Sequence, residues 1–306
     1  MRENERIYSI NLDRRKGENL MRIFKKVTAL LVTSALAMSF VACGSSDSDV
    51  SGFITGSGSS ALLPLAKEAA VAFKEKYPDV SVTLNGGGSG TGLKQVSDGS
   101  VDIGNSDVPA EEKLSPERAK ELVAHKVCVA IITPVVNKEL AKQVPNLTKQ
   151  QLIDIFTGTI KNWSEVGGPD EEILLITRPQ TSGTKAVFQK YALDGNEELV
   201  GGSLETDDSG TLLQTVADNK GAIGYVSLSY LVHNQKVSTL KIDGVEPSLE
   251  NTYNGSYPVW GYEYMYTKGE PTGVIKTYLE YIMSDEYGTQ LESQGYGTTS
   301  KMTVER

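Results

Sequence analysis

The stretch Arg178-Pro179-Gln180-Thr181-Ser182-Gly183-Thr184 joins an apolar run, Ile173–Ile176, to the helix-like segment Lys185–Tyr191. A guanidinium, two kinds of hydroxyl and several backbone N–H groups therefore meet at a strand-to-helix turn. A helix start offers unpaired N–H donors and a partial positive charge, which together suit an oxyanion. Two more Gly/Ser turns occur in the same context. In Gly56-Ser57-Gly58-Ser59-Ser60, Ser59 and Ser60 stand where N-cap and first-turn donors belong, and Pro64 is tolerated in the first turn. In Gly86-Gly87-Gly88-Ser89-Gly90-Thr91-Gly92 the glycines let backbone approach a ligand closely. One such turn means little; three between strands and helices point to a receptor for a small tetrahedral anion. In open α/β sheets ligands bind at the carboxyl ends of strands.

Asp107 refines the chemistry. It stands just past the apolar strand candidate at Val101–Gly104. An ionised carboxylate only accepts hydrogen bonds. It repels a fully ionised anion but accepts the proton of a partly protonated phosphate, and sulfate has no such proton at neutral pH. An unpaired buried acceptor costs about 1–3 kcal/mol, so the mismatch is expensive. The plainer alternative is that Asp107 caps a helix at Pro109–Lys113. For Arg178 the plainer alternative is a surface salt bridge, although its planar fork matches tetrahedral oxyanions better.

Composition narrows the partners. Residues 1–42 hold eight of the 30 basic and four of the 39 acidic residues, which leaves 22 and 35 from Cys43 onward, a net of −13. That excess argues against nucleic acid and against broad electrostatic capture of anions. An anion site here must work by local hydrogen bonds. The glycine run is no nucleotide loop, because a Walker A motif needs Gly-Lys-Ser/Thr and Lys94 comes too late. A serine hydrolase needs a base, and His125 and His233 are distant in sequence from the Gly/Ser turns. No His/Asp/Glu cluster has metal-ligand spacing, so neither a metal nor a cofactor is expected, and the chain is not expected to be an enzyme.

The N-terminal part reads as targeting. Arg22, Lys25 and Lys26 precede the apolar run Val27–Ala42, which ends at Cys43. This is a secretory signal pattern, too short for a confident membrane span. Phe40-Val41-Ala42-Cys43 resembles a lipobox, with Phe40 where leucine is usual, so Cys43 is the expected lipidation site. Met21 is the expected start codon, with Met1–Leu20 an upstream extension. Gly44–Ser51 reads as a flexible tether. Cys128, inside the apolar run Val127–Ile132, is expected to be a buried small hydrophobe.

Downstream, strand-like and helix-like patterns alternate, which argues for an α/β class with mostly parallel sheets. Val127–Val136 is a long apolar run suited to a strand buried on both faces. Thr148 and Gln151 form a capping-box pattern. Chain crossings between two lobes are expected at Pro134–Asn137 and Asn254–Pro258. They divide the chain into 1–42 (extension and signal), 43–51 (lipidated Cys and tether), 52–133 plus 259–306 (lobe one) and 134–258 (lobe two).

Gly56–Ser60, Gly86–Gln95, Val101–Asp107, Ile155–Gly168 (with Phe156-Thr157-Gly158 and Asn162-Trp163) and Arg178–Thr184 together resemble the phosphate-binding lipoproteins of bacterial ABC phosphate importers. The resemblance covers essentially all of Gly52–Thr299. It implies a two-lobed periplasmic-binding-protein (type II) fold with a hinge and a phosphate held dry in the central cleft. It implies as ligands Ser60, the Ala61 N–H, Ser89 and Asp107 from lobe one, and Arg178, Ser182, Gly183 and Thr184 from lobe two. The implied partners are inorganic phosphate, the permease subunits of the importer, and the membrane through a lipid anchor on the extracytoplasmic face, with the protein a monomer. Two departures stand out. Some members have an aromatic residue where Ala61 stands; a backbone donor does not need it. Many have an acid two residues after the arginine that restrains and partly neutralises it, where this chain has Gln180. The alternatives are a receptor for a sulfate-like oxyanion, a phosphate-ester hydrolase and an adhesive surface lipoprotein.

Overall fold

β1 (Gly52–Gly58) starts a series of strand–helix units: α1 (Leu63–Lys76), β2 (Val80–Asn85), α2 (Ser89–Ser97) and β3 (Ile103–Ser106). The computed structural model describes residues 50–201 and 204–306. The signal segment, Cys43 and all but the end of the tether lie outside the described residues. Among those described, no helix is long and apolar enough to cross a membrane.

The chain then runs through the long β4 (Leu122–Asn137), the short β5 (Asn146–Leu147), α3 (Lys149–Phe156), β6 (Leu174–Thr177), α4 (Gly183–Tyr191), β7 (Leu204–Glu205), α5 (Ser209–Asp218) and β8 (Ala222–Ser227). β9 (Val237–Thr239), β10 (Lys241–Ile242), β11 (Trp260–Lys268) and α6 (Gly273–Ile282) complete the main elements. The main sheet has the order β2-β1-β3-β11-β4-β8-β6-β7, with β9 also on β4.

The sheet is more mixed than the alternation of elements predicts. Its flanks are parallel, β1 with β2 and β3, and β6 with β7 and β8. Its centre is antiparallel: β11 runs against β3 and β4, and β4 against β8. The reason is geometric. β4 carries the chain out of the first half of the sheet and β11 carries it back, so the two oppose each other. β4 pairs with β11 as far as Ile131 and with β8 from Ile132 onward, just ahead of Pro134.

Each half has its own apolar core. One gathers Ile54, Leu65, Phe73, Met265, Tyr278 and Tyr296. The other gathers Ile132, Leu152, Phe156, Trp163, Phe188 and Tyr225. Val127–Val136 of β4 is buried throughout, as its unbroken apolar run predicts, and Cys128 is a buried free thiol. Thr148 and Gln151 form the predicted capping box on α3. β9 and β10 are separated by the single residue Leu240, and two short turns of helix, Asp285–Gly288 and Glu292–Gln294, follow α6.

Candidate functional site

Four helix starts converge between the two halves of the sheet. Three are the Gly/Ser turns ahead of α1, α2 and α4; the fourth is the start of α5. Gly88, at φ 84°, is the N-cap of α2, a backbone conformation that favours glycine. Ser182 caps α4, its Oγ accepting from Lys185 N at 3.2 Å. Ser59 caps the turn before α1, its Oγ accepting from Leu62 N at 3.0 Å.

Arg178 follows β6 directly, and its side chain is 0 % exposed. Its Nη1 donates to the Asp207 carbonyl at 3.0 Å, and faces Asp207 Oδ1 and Ser60 Oγ at 3.4 and 3.5 Å. Its Nη2 donates to Ser209 Oγ at 2.9 Å and the Tyr225 carbonyl at 3.0 Å, while Nε has no protein partner. The Tyr225 ring lies beneath the guanidinium, 5.4 Å away, and stacks flat on Phe188 at 3.9 Å. Arg178 is therefore no surface salt bridge. The Gln180 position supplies no acid, but Asp207 does, from the loop before α5. Burial raises the Asp207 pKa against the lowering pull of Ser182 and Arg178.

A second buried network fixes the backbone of this turn. Lys185 Nζ donates to the Arg178 carbonyl at 3.0 Å and pairs with Glu198 at 3.4 Å. Tyr225 Oη donates to the other Glu198 oxygen at 2.5 Å. Burial raises the Glu198 pKa, and hydrogen bonds from Tyr225 and charge from Lys185 oppose that. Buried polar groups of this kind specify one arrangement only when they are partnered.

Asp107 faces Arg178's turn from the other half of the molecule. Its Oδ2 accepts from Thr184 Oγ1 at 2.6 Å, and its backbone N–H donates to Ser89 Oγ at 3.0 Å. It caps no helix: the short turn Ala110–Glu112 begins at Pro109 without a side-chain cap. Its Oδ1 is buried with no hydrogen-bond partner. The two halves also touch through Gly90 N to the Thr181 carbonyl at 2.9 Å and Tyr230 Oη to the Ser60 carbonyl at 2.8 Å. Lys113 Nζ reaches the Gln180 and Ser182 carbonyls at 2.8 and 3.3 Å. Burial lowers the Lys113 pKa. This is a closed cleft.

All the expected residues thus line one place. Ser60, Ala61, Ser89, Asp107, Arg178, Ser182 and Thr184 are buried, and Gly183 is so close to the opposite wall that an added Cβ would lie 2.1 Å from Ser89 Oγ. The hydroxyls of Ser89 and Ser182 accept backbone bonds from Asp107 and Lys185, and each still carries a proton to donate. Among the described residues, no serine of the cleft hydrogen-bonds to a histidine; His125 instead contacts Thr267 Oγ1 at 3.2 Å.

The comparisons agree with this geometry. A model of the PBP superfamily domain matches residues 44–286. The phosphate-binding protein PstS of Bacillus subtilis is 45 % identical over 295 residues, covering 92 % of this chain and 96 % of that protein. PstS of Staphylococcus epidermidis is 26 % identical and 90 % of each chain is covered. A phosphate ABC transporter substrate-binding protein from Clostridium perfringens, solved with bound phosphate, superposes with a TM-score of 0.73 at 32 % identity, covering 81 % of this chain and all of that one.

The chain belongs to the phosphate-binding proteins of the PBP superfamily.

Within that family framework, Asp207 and Ser209 are the residues that sequence reasoning missed. A signal was present. Ser-Gly-Thr occurs at 89–91, 182–184 and again at 209–211, each time at a helix start. Ser209 Oγ lies 3.1 Å from Ser60 Oγ, so the third triplet joins the same cleft. The close approach at Gly183 gives a direct test. Gly183→Ala is expected to leave thermal stability near wild type in the ligand-free protein but to prevent full closure. Phosphate affinity should fall by about a hundredfold or more, an overpacking cost of roughly 1–3 kcal/mol plus lost hydrogen bonds across the cleft. Titration calorimetry and small-angle scattering with and without phosphate check this; unchanged compaction would refute it.

Proposed function

We propose that this protein captures inorganic phosphate in the closed cleft and hands it to the permease of an ABC importer. The observation that carries the reading is a buried Arg178, held by Asp207, Ser209 and the Tyr225 carbonyl, in one cleft with the carboxylate of Asp107 on the facing wall. A cation and N–H donors hold the anion, and a carboxylate receives its proton. Ser60, the Ala61 N–H, Ser89, Asp107, Arg178, Ser182, Gly183 and Thr184 are the proposed ligands. Asp207 takes the restraining role that an acid at position 180 plays in other members. Binding without turnover is what the phosphate-binding transport relatives support.

The lobes are proposed to divide at 134 and 259, so that β4 and β11 serve as the two hinge strands; the change of pairing along β4 supports this. Closure around ligand then completes the site from both walls. Lipidation of Cys43 would hold the protein, as a monomer, on the extracytoplasmic membrane face. Loss of labelled palmitate incorporation in Cys43→Ala tests the anchor. The ligand is tested by calorimetric titration of the stripped protein with phosphate and then sulfate. Tight one-to-one phosphate binding without sulfate heat supports the reading. A protein silent to phosphate refutes it, and sulfate binding alone would favour the other oxyanion.

A further inference from the structure

Behind the cleft lies a carboxyl that phosphate capture as described does not use. Glu263 of β11 is 0 % exposed, and neither of its oxygens has a hydrogen-bond partner. β11 runs antiparallel to β3 with Tyr264 opposite Ser106, and its pairing with β4 is irregular between Glu263 and Tyr264. That register carries Glu263 alongside Asp107, one residue beyond the Tyr264–Ser106 pair, with the two buried carboxyls close enough to interact. Asp107 Oδ1 is itself unpartnered. Two buried acceptors cannot bond to each other without a proton, and two adjacent buried carboxylates repel. A single proton between them removes both difficulties.

We propose that Glu263 is the protonated positioning partner of Asp107, the pair sharing one proton so that the wall of the cleft carries one negative charge and not two. The proton resides on Glu263 and bridges to Asp107 Oδ1. Asp107 stays a carboxylate, with Thr184 on Oδ2 and a lone pair left for the proton of bound phosphate. This rests on the phosphate reading of the cleft. Burial, then the nearby Asp107, pushes the Glu263 pKa well up. The other titratable groups facing Glu263 are Cys128, its partner across the β4 pairing, Tyr296 from the C-terminal segment, and its neighbour Tyr264. Burial likewise raises the pKa of each of these three, so they stay neutral. Among the described residues Glu263 has no ion pair to offset a charge.

The consequence is a proton-linked affinity. Loss of the Glu263 proton at alkaline pH adds a second charge beside the anion. Wild-type phosphate affinity should therefore fall toward alkaline pH by about tenfold or more relative to Glu263→Gln, since each pK unit of coupling is a factor of ten. Gln cannot ionise but still donates. Glu263→Met should bind phosphate about tenfold more weakly than Glu263→Gln at neutral pH, for want of that donor.

Calorimetric titration with phosphate across pH on wild type and both variants reads these effects. Parallel pH profiles for wild type and Glu263→Gln would overturn the proposal. A measurement on wild type alone covers variants that fail to fold. With glutamate carboxyl carbons labelled with carbon-13, nuclear magnetic resonance should show a glutamate still protonated at neutral pH, assigned to Glu263 and told from Glu198 by through-space contacts to the facing Cys128. If every glutamate is ionised there, the pair does not share a proton. Wild type that shows the protonated glutamate but binds no phosphate would instead condemn the phosphate reading and leave the pair standing.

Discussion

Arg178→Ala is expected to weaken phosphate binding by about 10³-fold, more than any single serine change. Truncating one partner of a buried, hydrogen-bonded charge pair costs about 3–5 kcal/mol, much of it from the charge left behind. Here that charge is Asp207, whose side chain is only 12 % exposed and whose pairing cation is Arg178. The anion would lose its cation and face an uncompensated carboxylate. By contrast, Ser60→Ala or Ser89→Ala removes one hydroxyl, and a hydrogen bond to a charged group is worth about 1.5–3 kcal/mol. Arg178→Lys should recover little, because one ammonium cannot span Asp207, Ser209 and the Tyr225 carbonyl as the planar fork does. Parallel calorimetric titrations decide the ranking, with thermal melts as a control for folding. If Arg178→Ala binds within a few-fold of wild type, the guanidinium is not the anion's principal partner.

The legibility of this site varies with how local its parts are. Arg178 to Thr184 forms one strand–turn–helix segment, so its donors could be read directly from residue order. Asp107 was visible at a strand end, but its function was not, because Pro109 could equally have followed a helix cap. The contact that settles its surroundings, with Thr184, spans 77 residues. Asp207 and Ser209 were hidden for a related reason. Nothing near Arg178 in the chain predicts that the loop before α5 folds back to hold it, although the repeated Ser-Gly-Thr triplet marked the place. Glu263 was the least legible. Tyr262-Glu263-Tyr264 lies in an aromatic strand pattern that does not say which face is covered, and only the place of β11 between β3 and β4 in the centre of the sheet buries the acid.

The fold shows the same division. Val127–Val136 announced a doubly buried strand through composition alone, and the Thr148–Gln151 box announced a helix start. Parallel pairing was over-predicted because alternating strands and helices imply parallel neighbours only while the chain stays on one side of a boundary. β4 and β11 cross it in opposite senses, and no local pattern records a crossing. That antiparallel centre also bears on the site: β11 pairs with β3 up to Ser106, so the strand that returns from the other half backs Asp107 directly.

Asp107→Asn should narrow the gap between phosphate and sulfate affinity by about 10²-fold, combining a lost hydrogen bond from the phosphate proton, worth about 1.5–3 kcal/mol, with relief of repulsion toward a fully ionised anion. The amide is nearly isosteric and its oxygen can keep the bond from Thr184 Oγ1, so the wall is expected to hold its shape. Its NH₂ group now points a donor where an acceptor stood. Phosphate then loses the partner for its proton, while sulfate gains a hydrogen bond at the atom that excluded it. The two shifts act in opposite directions, which makes the ratio of affinities a sharper readout than either alone. A general loosening of the cleft would weaken both anions together and leave the ratio unchanged. Competition titration of sulfate against phosphate in wild type and variant measures it, and unaltered discrimination would mean that Asp107 does not read the proton.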